Sequence, residues 1–149
     1  MGKSKSISKT KSEKALRKKY KSDIADNIVV SSEDMLWIPS RFIALNHLTG
    51  GGIPYGKIVE IFGEESAGKS LLAFDYSYCA QALGGVVLWA DAEYAFTRDW
   101  ALYNGLDLKQ VELFKNKSIE TISDWSVDIG KFYRKRLKHN EPILMVIDS

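Results

Sequence analysis

The stretch Lys57-Ile58-Val59-Glu60-Ile61-Phe62-Gly63-Glu64-Glu65-Ser66-Ala67-Gly68-Lys69-Ser70 decides how this chain is read. Its first six residues are a β-branched run and predict a buried strand. Two glycines then frame a loop, and the residues after it predict a helix over Lys69–Leu83. Gly63–Ser70 fits G-x-x-x-x-G-K-[ST] in full, in the strand-to-helix setting that this pattern requires. Each fixed position has a chemical reason. Gly63 and Gly68 let the backbone wrap so that successive N–H groups point at phosphate oxygens. The helix start adds the positive end of its dipole. Lys69 would reach the β- and γ-phosphates of a nucleoside triphosphate, and the Ser70 hydroxyl would be a ligand for Mg2+. The expected nucleotide-binding segment is therefore Gly63, Glu64, Glu65, Ser66, Ala67, Gly68, Lys69 and Ser70, with Leu71 following.

Such a loop needs an acid at the end of another strand. Ile143–Ile147 is a run of five apolar residues, and Asp148 follows it at the C-terminal edge of the expected sheet. Asp148 would hold the metal through its water shell, since Mg2+ gives up water reluctantly. The plainer reading is a strand that ends in a turn aspartate. Between loop and acid lies a second apolar run, Val86–Ala90, followed by Asp91-Ala92-Glu93. Ligands bind at this edge of open α/β sheets. Glu93 is there either as the group that polarises the attacking water or as a surface acid.

The remaining pattern supports the same architecture. Ser40–Leu48 predicts a short helix with Phe42, Ile43, Leu45 and Leu48 inward, and Gly50–Gly56 is dense enough in turn signals to predict a loop. Arg98–Asn104 predicts a helix, Val111–Phe114 a strand, and Ile119–Lys138 a long helix, with Pro142 introducing Ile143–Ile147. Continuous apolar strands alternating with helices predict an α/β fold, a mainly parallel sheet flanked by helices. No repeat of 20–50 residues is present.

Composition sets the bounds. A chain of 149 residues with 45% hydrophobic content suits one domain with a real core. Its apolar runs are far short of the roughly 20 residues that span a bilayer, and no signal peptide follows the lysine-rich start. No membrane partner is expected. With one cysteine, Cys79, no intrachain disulfide can form, and its helical setting predicts a buried small hydrophobe. An intracellular, cytoplasmic location fits. The net charge of +2 conceals a split: residues 1–22 carry nine Lys/Arg against Glu13 alone, so the rest holds 12 basic and 18 acidic residues. Residues 1–11 read as disordered, and Leu16, Tyr20 and Ile24 put a narrow apolar stripe on a basic helix over residues 12–24. On charge alone the arm either binds nucleic acid by counterion release or is a solvated tail. The basic run over 131–140 reads as a solvated face. His47 and His139 have no partner at metal or nucleophile spacing.

Taken together, Gly50–Ser70 and Leu88–Thr97 resemble the RecA-type recombinases, including phage recombinases of the UvsX kind. The segments that carry this are Ile53–Gly63, the Gly63–Ser70 loop, Asp91-Ala92-Glu93 and Ile147-Asp148-Ser149. The 24 residues from Lys69 to Glu93 match that family's spacing. The resemblance covers residues 28–149 and implies a P-loop NTPase fold of RecA type. It implies ATP and Mg2+ on Lys69 and Ser70, Glu93 as the catalytic carboxylate together with Lys69, and Asp148 on the metal side. Trp100 stands where the family has an aromatic that stacks on adenine; as an alternative it is a core or interface aromatic. The helix at residues 12–24 resembles the family's subunit-docking segment, so residues 1–26 divide from an ATPase core over 27–149. Single-stranded DNA and a homo-oligomeric helical filament are the implied partners.

Two departures matter. Glu93 and Asp148 are 55 residues apart, somewhat more than in bacterial enzymes, with the excess around Lys131–Asn140. The chain also stops one residue past Asp148, before the DNA-holding loops, the γ-phosphate sensor and several strands of that family. Its last strand would be an exposed apolar edge. The expectation is the N-terminal portion of a longer ATP-dependent DNA recombinase, phage-encoded and working in the bacterial host cytoplasm, from a gene that is interrupted or incompletely read. The competing readings are a non-catalytic truncated relative that binds nucleotide and modulates recombinase filaments, and a helicase-type, clock or signalling ATPase on the same fold.

Overall fold

The computed structural model describes residues 35–148, so the basic arm and the helix expected over residues 12–24 lie outside the described residues. In chain order the elements are β1 (Trp37–Ile38), α1 (Ile43–Thr49), β2 (Ile53–Pro54), α2 (Lys69–Ala82), β3 (Val86–Asp91) and α3 (Arg98–Tyr103). A 3-10 turn (Leu108–Gln110), β4 (Val111–Phe114), α4 (Ile119–Arg134) and β5 (Ile143–Asp148) follow. β4, β3 and β5 form a parallel sheet in that order, and β1 pairs antiparallel with β2. Helices between parallel strands make this the expected α/β architecture. No helix among the described residues is long and apolar enough to cross a membrane.

β3 is the centre because all six of its residues are buried. A strand covered on both faces has to be apolar at successive positions rather than at alternate ones, and Val86–Ala90 is. Val87 and Trp89 point to one face, where they pack with Phe74 of α2, Phe96, Ala101 and Leu106. Trp89 stacks on Phe74 with ring centroids 4.5 Å apart, and Phe96 meets Trp89 edge-on at 5.2 Å. Strand alternation sends Leu88 to the opposite face, where α4 packs against β3 and β5. There Leu88 and Ile122 are both fully buried. The α4 end of this layer is tied down when the Tyr133 hydroxyl donates to the Glu112 carboxylate on β4, which pushes the phenol pKa up. A smaller cluster of Ile38, Tyr76, Cys79 and Ala80 seats β1 on α2, with Cys79 buried as expected.

Asp75 is the buried charge of α2. Ser40 Oγ donates to its Oδ2 at 2.6 Å, Arg41 N donates to the same oxygen at 3.2 Å, and Arg41 Nε donates to Oδ1 at 2.5 Å. These bonds fasten the chain before α1 to the middle of the helix that follows the glycine loop.

Four expectations are corrected. Lys57–Phe62 is not a strand: it forms no ladder, and Ile58 and Phe62 are 100% and 87% exposed. A β-branched run becomes a strand only where a neighbour takes its N–H and C=O groups, and β5 pairs with β3 alone among the described residues. In α1 only Leu45 packs inward, whereas Phe42, Ile43 and Leu48 are exposed. Ile43 lies about 200° around the helix from Leu45, so one narrow contact cannot bury both. The expected loop Gly50–Gly56 contains β2, which Gly52 makes possible. A Cβ there would lie 2.1 Å from the Ile38 carbonyl oxygen, at a φ of 121°. Gly52→Ala is therefore expected to cost about 1–3 kcal/mol from backbone strain alone, read as a lower midpoint in denaturant unfolding. Finally, α4 ends at Arg134 rather than Lys138, because the Arg134 guanidinium donates to the carbonyls of Lys138 and Glu141 and stabilises a turn.

Candidate phosphate-binding site

The loop before α2 has the backbone that its glycines permit. Gly68 sits at a φ of 90° with no atom within 4 Å of a would-be Cβ, so its dihedral and not its space calls for glycine. Ser66 also takes a left-handed φ of 60°. Lys69 Nζ donates to the carbonyls of Gly63 at 3.1 Å and Glu64 at 2.8 Å, which folds the side chain back over the loop. An ammonium has three donors, so one remains for an anion. Ala67 N donates to Glu64 O at 3.3 Å, which closes the turn.

Ser70 Oγ donates to Asp148 Oδ1 at 3.2 Å across 78 residues of sequence. This contact places the first turn of α2 beside the C-terminal end of β5. The neighbouring strand end is fastened there too, since Ala92 N donates to Asp148 O at 3.0 Å. Around these atoms lies a cavity of about 630 Å³ lined by Glu65, Ser66, Gly68, Lys69, Ser70, Leu71, Glu93, Trp100 and Asp148. Its size is that of a small-molecule cleft, which typically spans about 300–1,000 Å³. Of the residues singled out in the sequence, Gly63, Glu64 and Ala67 are in the loop but do not line the cavity.

Trp100 is carried by α3, whose first turn is capped where Trp100 N donates to Thr97 Oγ1 at 3.4 Å. The indole stacks on Tyr103 with centroids 5.4 Å apart and 14° between planes. It is half exposed and lines the cavity, so it is not a core aromatic. Glu93 lies on the loop after β3, between Asp91 and the left-handed Tyr94 at a φ of 60°. Asp91 is fully buried, and its carboxylate accepts from Ala95 N at 2.9 Å and Phe96 N at 3.1 Å. Lys115 Nζ is 3.6 Å from Asp91 Oδ2. Sequence reasoning missed this pair, because nothing in the spacing of Asp91 and Lys115 announces it.

The oxygen donors fit a hard cation. Ser70 Oγ and the Asp148 carboxylate lie side by side, and among the described residues the cavity lining holds no sulfur or imidazole, which suits Mg2+. A second cleft of about 370 Å³, lined by Phe96, Arg98, Leu108, Val111, Leu113 and Lys115, shares no residue with the first. It is open and mostly apolar, and lacks the glycine loop, so the larger cavity is the better candidate.

Comparison with known proteins bears on the family of the chain. Residues 9–127 match the model of the RecA N-terminal domain, a span that takes in Gly63–Ser70, Glu93 and Trp100 and stops before Asp148. The chain is 47% identical over 75 residues to Protein RecA of Thermotoga petrophila, covering 50% of this chain and 21% of that protein. It is 46% identical over 79 residues to Protein RecA of Bacteroides thetaiotaomicron, covering 52% and 24%. Protein RecA of Aquifex aeolicus is 45% identical over 75 residues, covering 50% and 22%. The matched segment thus spans about a fifth to a quarter of the length of these relatives.

Proposed function

Because the chain belongs to the RecA N-terminal domain family, we propose that its larger cavity binds ATP and that the chain is the nucleotide-handling part of a DNA-dependent ATPase acting in homologous recombination. The observation that carries this is the meeting of Lys69, Ser70, Glu93, Trp100 and Asp148 around one cavity, from segments up to 79 positions apart in sequence. In this reading the triphosphate lies along the loop before α2. Backbone N–H groups and the third donor of Lys69 meet its phosphate oxygens. The adenine stacks on the Trp100 face, with Tyr103 behind the indole to hold its plane. Ser70 and Asp148 would hold Mg2+, which would supply positive charge to neutralise the triphosphate.

Glu93 does the remaining work. Its carboxylate orients a water toward the γ-phosphorus and accepts the water's proton as the new O–P bond forms and the bond to the β–γ bridging oxygen breaks, releasing ADP and inorganic phosphate. Single-stranded DNA as activator, a helical filament as the assembled form and a cytoplasmic setting belong to the same proposal, supported by family membership. Titration of the chain with ATP and Mg2+ in a calorimeter tests the site. We expect saturation at one ATP per chain, with ADP competing better than AMP; no binding up to millimolar ATP would refute the reading. Glu93→Gln should leave ATP affinity intact while single-turnover hydrolysis falls about 10²–10⁴-fold. Equal loss of binding would reassign Glu93 to the ground-state cradle.

A further inference from the structure

A catalytic carboxylate on a loop is only as useful as the loop is still, and the structure shows what restrains this one. Asp91 ends β3 fully buried, and its two oxygens each accept a backbone N–H from beyond the turn, Ala95 at 2.9 Å and Phe96 at 3.1 Å. Between these anchors Tyr94 adopts the left-handed conformation, which the surrounding bonds have to impose on a non-glycine residue. A carboxylate removed from water also needs a counter-charge. Lys115, the residue after β4, supplies it at 3.6 Å from Asp91 Oδ2. The same ammonium lies 5.9 Å from the Tyr94 ring centroid, and Lys117 lies 5.7 Å from it on its own account. Lys115 therefore touches both fixed points of the loop that carries Glu93, yet it does not line the larger cavity.

We propose that Lys115 and Asp91 are a positioning pair for Glu93. The ammonium just past β4 holds the buried carboxylate, the carboxylate holds the N–H groups of Ala95 and Phe96, and the loop so closed keeps Glu93 aimed into the cavity. The proposal rests on the reading of Glu93 as the group that orients water. It makes a distinction that a purely structural ion pair would not. Removing Lys115 should spare nucleotide binding, which the α2 loop and Trp100 supply, and weaken the step that needs Glu93 aligned.

Lys115 is suited to the test because its side chain is 41% exposed, so its replacement leaves no large cavity. The 149-residue chain and its Lys115→Met, Lys115→Arg and Glu93→Gln variants would be titrated with ADP and with ADP plus aluminium fluoride. The latter mimics the transferring phosphoryl group with its in-line water. Lys115→Met should keep ADP affinity within about twofold while the preference for the fluoride complex falls by about tenfold. Single-turnover hydrolysis should follow kcat and not KM. Lys115→Arg should recover most of the preference, and Glu93→Gln should lose it. If Glu93→Gln loses the preference and Lys115→Met does not, the pair does not position Glu93. If Glu93→Gln has no effect, or the parent chain shows no preference, the reading of Glu93 falls and the proposal with it. Equal losses for ADP and its fluoride complex in Lys115→Met would make the pair merely structural. Lys115→Gln serves in the same comparison should the methionine variant fail to fold.

Discussion

Lys69→Ala is expected to weaken ATP binding by about 10–100-fold while leaving the fold intact. The ammonium lies over the glycine loop on the carbonyls of Gly63 and Glu64, and among the described residues it is the one side-chain cation lining the larger cavity. A hydrogen bond to a charged group contributes about 1.5–3 kcal/mol, so losing the one that the third donor makes to the triphosphate weakens ATP by about 10–100-fold. Stability should move little, about 0.5 kcal/mol or less, because water can replace the ammonium on two exposed carbonyls. Calorimetry with ATP and a denaturant melt separate the two quantities. An unchanged ATP affinity would remove the site assignment, and a collapsed melt would make Lys69 a structural residue.

Trp89→Ala should act in the opposite way, on the fold first. The indole is completely buried at the centre of the sheet and stacked against Phe74 and Phe96. Truncating a buried Trp costs about 3–5 kcal/mol, against a total of about 5–15 kcal/mol for an ordinary domain. Its Nε1–H has no hydrogen-bond partner among the described residues. The loss is thus one of packing and dispersion, not of a bond. We expect the unfolding free energy to fall by several kcal/mol, read as a lower denaturant midpoint at unchanged slope. Phe96 links this cluster to the loop closed by Asp91, so hydrolysis should weaken as well, even at temperatures where the variant is still folded. A loss under about 1 kcal/mol would show that the aromatic cluster is not what holds β3 to α2.

Much of the fold was legible because its signals are local. Glycine-to-helix punctuation located α2 to within a residue of its end, and the apolar runs located β3, β4 and β5 nearly to the residue. The candidate site was legible for a related reason. The pattern Gly63–Ser70 specifies a backbone shape and a cation together, and the acids Glu93 and Asp148 each stand at or just past a strand end. Asp91 and Lys115 were not legible. Their partnership comes from β3 and β4 lying side by side in parallel register, with Ala90 opposite Phe114, so that the residues just beyond meet.

The sequence by itself determined the elements whose hydrogen bonds close within a few residues, above all α2 and the glycine loop that leads into it. It also determined that β3 would be covered on both faces, since five successive apolar residues admit no wet side. Only the tertiary structure decided which strands pair. A strand's hydrogen bonds are made to a neighbour that may be distant in the chain, so composition cannot choose it. For that reason Lys57–Phe62, as β-branched as any strand here, stays unpaired, while Ile143–Asp148 joins β3 and carries Asp148 to Ser70.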